Sequence, residues 1–279
     1  MTNNKKNLTD WVGNSEKRIE TIHQQALDGF AALMDETVPA SSFLPAGGHW
    51  MYFLPTDQQS NLAQDGHSYK GSFLPPVELP RRMWAGGRIK FLRPVKAGDK
   101  IGKTSTIQSV SEKEGRSGKL VFVTVEHKLQ KAENSYIQEE HDIVYREAAK
   151  EGDVPPEPKS APVDCDWEQT IIPDPVMLFR YSALTYNGHR IHYDRDYVTT
   201  VEGYPGLIVH GPLIGTLLMK LAIDNMNDKS LKNFEFRNSS PIFDTAPFRI
   251  CGKQIDEDTC EVWATGPHGE LAVMATAQF

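Results

Sequence analysis

Twice along this chain a helical segment gives way to a run of β-forming segments, and a charged, proline-rich stretch separates the two. That order limits the fold more than any overall property does. In the first half, residues 15–35 place Ile19, Ile22, Ala26, Leu27, Phe30 and Leu33 at helical spacing, with Ser15 as a candidate cap and Pro39 beyond the end. Residues 88–95 read as a strand, Ala97-Gly98-Asp99 as a turn and 100–110 as the returning strand. After a polar turn at 112–118, the β-branched run LVFVTVEHKLQ (120–130) and residues 135–146 complete a meander. Residues 147–162 (EAAKEGDVPPEPKSAP) carry the linker signal. The second half restarts with a short strand at 167–172 and a helix at 174–185, whose Val176, Phe179, Ala183 and Leu184 share a face. An apolar helix at 213–226 precedes strands near 231–238, 246–255, 259–265 and 271–278. Pro241 follows the strand FEF much as Pro94 follows IKF. The expectation is an α+β protein made of two copies of one unit, each an antiparallel sheet wrapped around one helix. The N-terminal unit is placed at 1–148, the linker at 149–164 and the C-terminal unit at 165–279.

Residues 36–87 fit neither pattern. They are rich in Pro, Gly and aromatics, and a long irregular segment in a compact protein usually covers something or is functional. Trp50, Tyr52 and Trp84 read as packing residues. Arg81, Arg82 and Arg88 read as a solvated face or, beside Trp84, as a cradle for phosphates. With 279 residues there is room for two units of ordinary size, and a net charge of −7 lacks the basic footprint of a nucleic-acid binder. Cys165, Cys251 and Cys260 are odd in number and lack CxxC spacing, which predicts reduced thiols in a cytosolic-type compartment and no zinc site. The N-terminus has no apolar signal core, and no apolar run reaches the ~18–20 residues that span a bilayer.

The chemistry concentrates in residues 180–213, RYSALTYNGHRIHYDRDYVTTVEGYPGLIVHGPL. His192 is the first candidate base, because imidazole titrates nearest neutrality. The alternative is a loop histidine bonded to backbone. His189 and Asn187 are candidates to hold a water, the latter through its amide. Arg190 is a candidate partner for a substrate carboxylate, or else a rim salt bridge with Asp194 or Asp196. His210 is a supporting group. Gly211 permits close approach at a helix start, where unpaired N–H groups suit a developing enolate. His189, His192 and Asp194 lack the spacing of a familiar metal motif, so no metal is expected. No GxSxG or Cys–His nucleophile signature is present.

At GHRIHYD followed by IVHGPL, the chain resembles the MaoC-like, or hydratase 2, branch of the hotdog superfamily. The resemblance puts the catalytic His at His192 and the family's VHG element at Val209-His210-Gly211. The family's catalytic Asp position holds Asn187, its Asn position His189 and its Pro position Arg190. Either His192 works largely alone, or His189 takes the second role. HWMYFLP, DGHSYKGSFLPPVELPRRMWAGG, KFLRPVKAGD and NGHRIHYD look like the two-domain hydroxyacyl-thioester dehydratases and mesaconyl-CoA hydratases, over residues 11–279. The resemblance implies a double hotdog fold, with a covering N-terminal hotdog and a catalytic C-terminal one. It also implies an acyl-CoA or acyl-carrier thioester substrate, no cofactor or metal, syn hydration of a conjugated double bond, and a cytoplasmic homodimer. Catalytic roles then fall to His192, Asn187, His189 and Gly211, and substrate binding to Arg190, His210, Trp84, Arg81 and Arg82. Two other readings stay open: an acyl-CoA thioesterase, for which Asp224 is the one acid in the apolar helix, and a non-catalytic acyl-CoA binding module.

Overall fold

A computed structural model describes residues 7–37, 42–115, 118–148, 157–226 and 229–279. The first half contains strands β1 (Ser15–Thr21), β2 (Arg81–Phe91), β3 (Lys100–Gly115), β4 (Gly118–Lys131) and β5 (Asn134–Arg146), with helix α1 (Gln24–Leu33) after β1. The second half contains β6 (Trp167–Ile171), helices α2 (Pro175–Thr185), α3 (Arg195–Thr200) and α4 (Gly211–Asn225), then β7 (Asn233–Asn238), β8 (Phe248–Gln254), β9 (Thr259–Thr265) and β10 (Leu271–Gln278). All ten strands join one sheet in the order β1-β3-β4-β5-β2-β7-β10-β9-β8-β6. The order is the same on both sides of the centre: β1-β3-β4-β5-β2 is mirrored by β6-β8-β9-β10-β7. Every pairing is antiparallel, as expected of two copies of one meander.

The halves meet where β2 pairs with β7, from Gly86 opposite Arg237 to Lys90 opposite Asn233. A side chain at Gly86 would stand 2.4 Å from the Phe236 carbonyl oxygen, and one at Gly87 would stand 2.7 Å from that of Glu140. Only glycine lets the backbones close here, and a bulge between Trp84 and Gly86 re-aims the strand. The same Gly-Gly pair makes the segment read as loop, so β2 begins at Arg81, seven residues before its expected start.

Three further differences have physical causes. The expected helix at 15–35 is a strand followed by a shorter helix. SEKRIET alternates in burial and pairs with β3, from Ser15 opposite Thr106 to Thr21 opposite Lys100, which leaves Ile19 exposed. Ser15 therefore caps nothing, and its hydroxyl bonds the Ser105 carbonyl. Pro39 lies outside the described residues. In α2 the buried face is Leu178, Tyr181 and Ser182, while Val176 and Phe179 point to solvent. The third difference is in the sheet's inner face. α4 is buried almost all round, through Leu213, Ile214, Leu217, Leu218, Met219, Leu221 and Ala222, and packs on β7 to β10. The first half has no such helix among its described residues. Residues 42–80, with short 3-10 turns at Gly48–Met51 and Gln59–Asn61, cover that face instead. No described helix is long and apolar enough to cross a membrane.

Candidate active site

The site begins at the end of α2. Tyr186 takes the left-handed conformation (φ 50°) that stops the helix, and the Asn187 N–H closes the turn onto the Ser182 carbonyl at 2.9 Å. The Asn187 side-chain oxygen then accepts the His189 N–H at 3.0 Å. The Asn187 side-chain carbonyl thus shapes the loop. A 3-10 turn over Arg190–His192 carries His192 inward, and Asp194 caps α3 by accepting the Tyr197 N–H.

His192 is 7% exposed, and its Nδ1 donates to the Ile208 carbonyl at 2.7 Å. A carbonyl only accepts, so the proton sits on Nδ1 and Nε2 keeps its lone pair. Burial pushes the His192 pKa down to about 4, against the upward pull of that bond, so the ring is neutral at pH 7. Its face stacks on His210, with centroids 3.7 Å apart. His210 is fully buried, and its Nε2 shares a hydrogen bond with the Ser182 hydroxyl at 2.8 Å. Burial first, and then the neighbouring His192 and His189, hold its pKa far below the ordinary value. His210 is also the residue before α4, so the stack holds His192 against the residue that precedes the helix start, where the first N–H groups have no intrahelical partner.

The first half supplies a part of the site that sequence reasoning did not single out. The tight loop 62–68 folds onto 187–190. The Asp65 carbonyl accepts the Arg190 N–H at 2.9 Å, and Gly66 (φ 91°) sits so close that a side chain there would be 1.9 Å from the Gly188 oxygen. The His67 Nδ1 donates to an Asp65 carboxylate oxygen at 3.0 Å, and Asp65 also accepts the His67 backbone N–H at 3.0 Å. His67 lies against His189 with centroids 4.1 Å apart, and His189 meets His192 edge-on at 5.5 Å. Asp65, His67, His189, His192, His210 and Ser182 thus form one continuous array across both halves. Burial alone would raise the Asp65 pKa, but the bond from His67 outweighs it and holds the carboxyl below its usual range. Burial lowers the pKa of both His67 and His189; the Arg82 charge lowers His67 further, and the neighbouring His67 and His192 lower His189 further. The signal in the sequence was Asp-Gly-His, a short acid–imidazole spacing with a turn residue between.

The other predicted residues separate by environment. Trp84 lies over Gly211, where an added Cβ would be 3.4 Å away, and packs edge-on against Trp50 and Phe236. Its carbonyl accepts from Asn238 at 2.7 Å. Behind it, buried Glu139 accepts from Trp50 at 2.9 Å and His49 at 3.2 Å, which pins the 3-10 turn 48–51 where the first half lacks a helix. Arg81 donates to the Glu202 carbonyl and the Tyr204 hydroxyl. Arg190 pairs with Asp194 at 2.8 Å, donates to the Gln64 carbonyl and lies 4.1 Å over the Tyr197 ring. The expected contact with Asp194 is thus formed. Arg82 has no hydrogen-bond or ion-pair partner among the described residues, and its charge lowers the pKa of His67, His189 and His141. Asp224 is half-exposed and paired with Lys220 at 2.9 Å. Two groupings bring potential metal-ligand atoms within 4.8 Å: Asp65, His67 and His189, and Cys165, Glu168 and Cys251.

Comparison with known proteins fits this geometry. Residues 47–244 match the family model for hydroxyacyl-thioester dehydratase type 2. A mesaconyl-C(4)-CoA hydratase from Chloroflexus aurantiacus is 43% identical over 271 residues, covering 96% of each chain. A mitochondrial hydroxyacyl-thioester dehydratase type 2 from Schizosaccharomyces pombe is 29% identical, covering 82% of this chain and 87% of its own. Among solved structures, HtdX from Mycobacterium tuberculosis superposes with TM-score 0.68 at 14% identity, over 95% of this chain and 98% of its own. A second M. tuberculosis protein, described as a double hotdog fold, superposes with TM-score 0.55 at 12% identity over 96% of both. The chain belongs to the hydroxyacyl-thioester dehydratase type 2 family of MaoC-like proteins, has a double hotdog fold and is an enzyme of the hydratase/dehydratase type.

Proposed function

We propose that this enzyme hydrates the conjugated double bond of a short acyl-CoA bearing a second, free carboxylate, with mesaconyl-CoA giving citramalyl-CoA as the leading case. The observation that carries the reaction type is the neutral His192 with its Nε2 free beside the start of α4. A water held between His192 and His189 loses a proton to His192 Nε2 as its oxygen bonds to the β-carbon. The π electrons move toward the thioester oxygen, and the enolate is held by the Gly211 N–H. A donor of this kind is worth about 10²–10³ in rate. His192 then returns the proton to the α-carbon on the same face, which makes the addition syn and leaves the base as it began. The substrate assignment leans on the 43% identical hydratase. The free carboxylate needs a cation, and of the arginines expected at the site Arg81 is bonded to Glu202 and Tyr204 and Arg190 is spent on Asp194, which leaves Arg82 without a partner among the described residues.

The thioesterase alternative finds no support in Asp224, which faces Lys220 far down α4. The same reading makes residues 1–148 the covering unit and the protein a cytoplasmic homodimer, for which exposed Ile172, Val176 and Phe179 offer an apolar face. Light scattering of the purified chain tests the dimer. The enzymatic test follows loss of the enoyl-thioester absorbance with mesaconyl-CoA and crotonyl-CoA. The expected result is loss of the band with the wild type and none with His192→Ala. An unchanged band with both substrates, or release of free CoA thiol, would overturn the hydratase reading.

A further inference from the structure

A MaoC-like site whose 187 position is Asn has no carboxylate in its own histidine loop. The imidazolium that forms on His192 during the reaction would then be an uncompensated charge in a buried site, which is costly. The first half carries what is missing. We infer that Asp65 and His67 are positioning residues of the catalytic site, delivered by the loop 62–68 to supply, through His189, the negative charge and the fixed tautomer that the loop 187–192 lacks. This rests on the hydratase reading above and adds to it the part played by the covering unit.

Three independent observations carry it. The loop is seated by three close contacts: the Arg190 backbone N–H on the Asp65 carbonyl, the Arg190 guanidinium on the Gln64 carbonyl, and Gly66 against Gly188. The carboxylate is aimed, since one oxygen takes the His67 backbone N–H and the other takes Nδ1 of the ring. The rings then run without interruption from His67 to His189 to His192. With Nδ1–H given to Asp65, His67 keeps Nε2 unprotonated, and its fixed ring packs directly against His189. His189 in turn offers an acceptor nitrogen to the attacking water. The Asp65 carboxylate offsets the positive charge that spreads over the array when His192 takes the water's proton.

Asp65→Asn isolates this role. Asparagine keeps an oxygen for the His67 backbone N–H, so the turn survives. It replaces the second oxygen with an N–H donor, which reverses the His67 tautomer and removes the charge. Purified full-length wild type, Asp65→Asn, Asp65→Glu and His67→Gln are assayed for hydration, with thermal melts as a check on folding. Imidazole ¹⁵N spectra of the histidine-labelled wild type and Asp65→Asn accompany them. The expected result is a fall in kcat of about 10², the lower end of what a positioned acid–base group contributes, with KM within about twofold. Asp65→Glu should recover part of the loss, and the spectra should show the Nδ1–H form of His67 reversing in Asp65→Asn. A kcat within about twofold of wild type for a folded Asp65→Asn would overturn the inference. So would stoichiometric metal in the purified protein whose removal abolishes turnover, because Asp65, His67 and His189 would then be ligands. A wild type without turnover would defeat the hydratase reading, and the ¹⁵N spectra would still decide this one: an unchanged His67 tautomer in Asp65→Asn overturns it, and a reversed one supports it.

Discussion

Burial of His192 makes a quantitative claim about acid. Its pKa is pushed down to about 4, while an unfolded histidine titrates near 6.5. At pH 5.5 a base with the lower value is about 97% unprotonated, and an ordinary histidine about 9%, a tenfold difference in competent enzyme. The groups facing His192 are His189, His210 and the Ile208 carbonyl, with His67 and Asp65 beyond; none of the rings is cationic at neutral pH by the direction of its shift. The assay is kcat/KM for crotonyl-pantetheine from pH 5 to 8, since that substrate carries no carboxylate or phosphate to titrate. The expected profile is flat through pH 5.5, with its fall beginning only toward the value of His192 itself. Stability runs the other way and has to be measured alongside. The folded pKa lies below the unfolded one, so between about 4 and 6.5 the unfolded chain binds more protons, and stability falls as pH is lowered through that window. The cost at pH 5.5 is roughly 1 kcal/mol for each of His192 and His141, which is also pushed to about 4 by burial. Circular dichroism at each pH separates the two effects. An acid limb near 6.5 in a protein still fully folded would show that the working base is not a desolvated His192.

Three other outcomes follow from single contacts. Gly66→Ala puts a side chain 1.9 Å from the Gly188 oxygen at a positive φ, so the loop 62–68 must lift. Turnover should fall about as far as in Asp65→Asn, with Tm lowered by about 2–4 °C per kcal/mol lost; unaltered kcat would show that the loop's seat does not matter. Arg82→Met should raise KM for mesaconyl-CoA about tenfold or more and spare crotonyl-CoA, whereas Arg190→Met should weaken both alike through loss of the Asp194 and Gln64 contacts. The reverse pattern would return the carboxylate to Arg190. Ser182→Ala removes the side-chain partner of His210, whose Nδ1 has none among the described residues, and should destabilise the fold by about 1–3 kcal/mol in urea unfolding.

Local pattern and motif spacing were enough to read the strands and the apolar helix of the second half and most of the meander, but not α3. LVFVTVEHKLQ announces β4 because its β-branched residues alternate, burying Val121, Val123 and Val125 on one face, and VHGPL announces α4 because an apolar run follows a proline at its first turn. The choice of His192 as base was equally local, since the motif that names it also builds the turn that buries it. Where sequence reasoning missed, two periodicities overlapped or a partner lay far away. Residues 15–35 carry helical spacing, yet pairing with β3 decided the first seven, and Val176 and Phe179 look like a core face because nothing local says which side of α2 meets the sheet.

What the chain alone determined is therefore the number of meanders, the central helix of the second half and the place of the candidate base beside it. What only the tertiary structure decided is how charges and rings are shared between the halves. Asp65 and His67 are more than a hundred residues from His192, and Arg190 sits four residues from the Asp194 that claims it. Hydrogen bonding and burial act through space, so a carboxylate is assigned to a site by the β2–β7 seam and the Gly66–Gly188 contact that bring the halves together, and neither is written at the residues it connects.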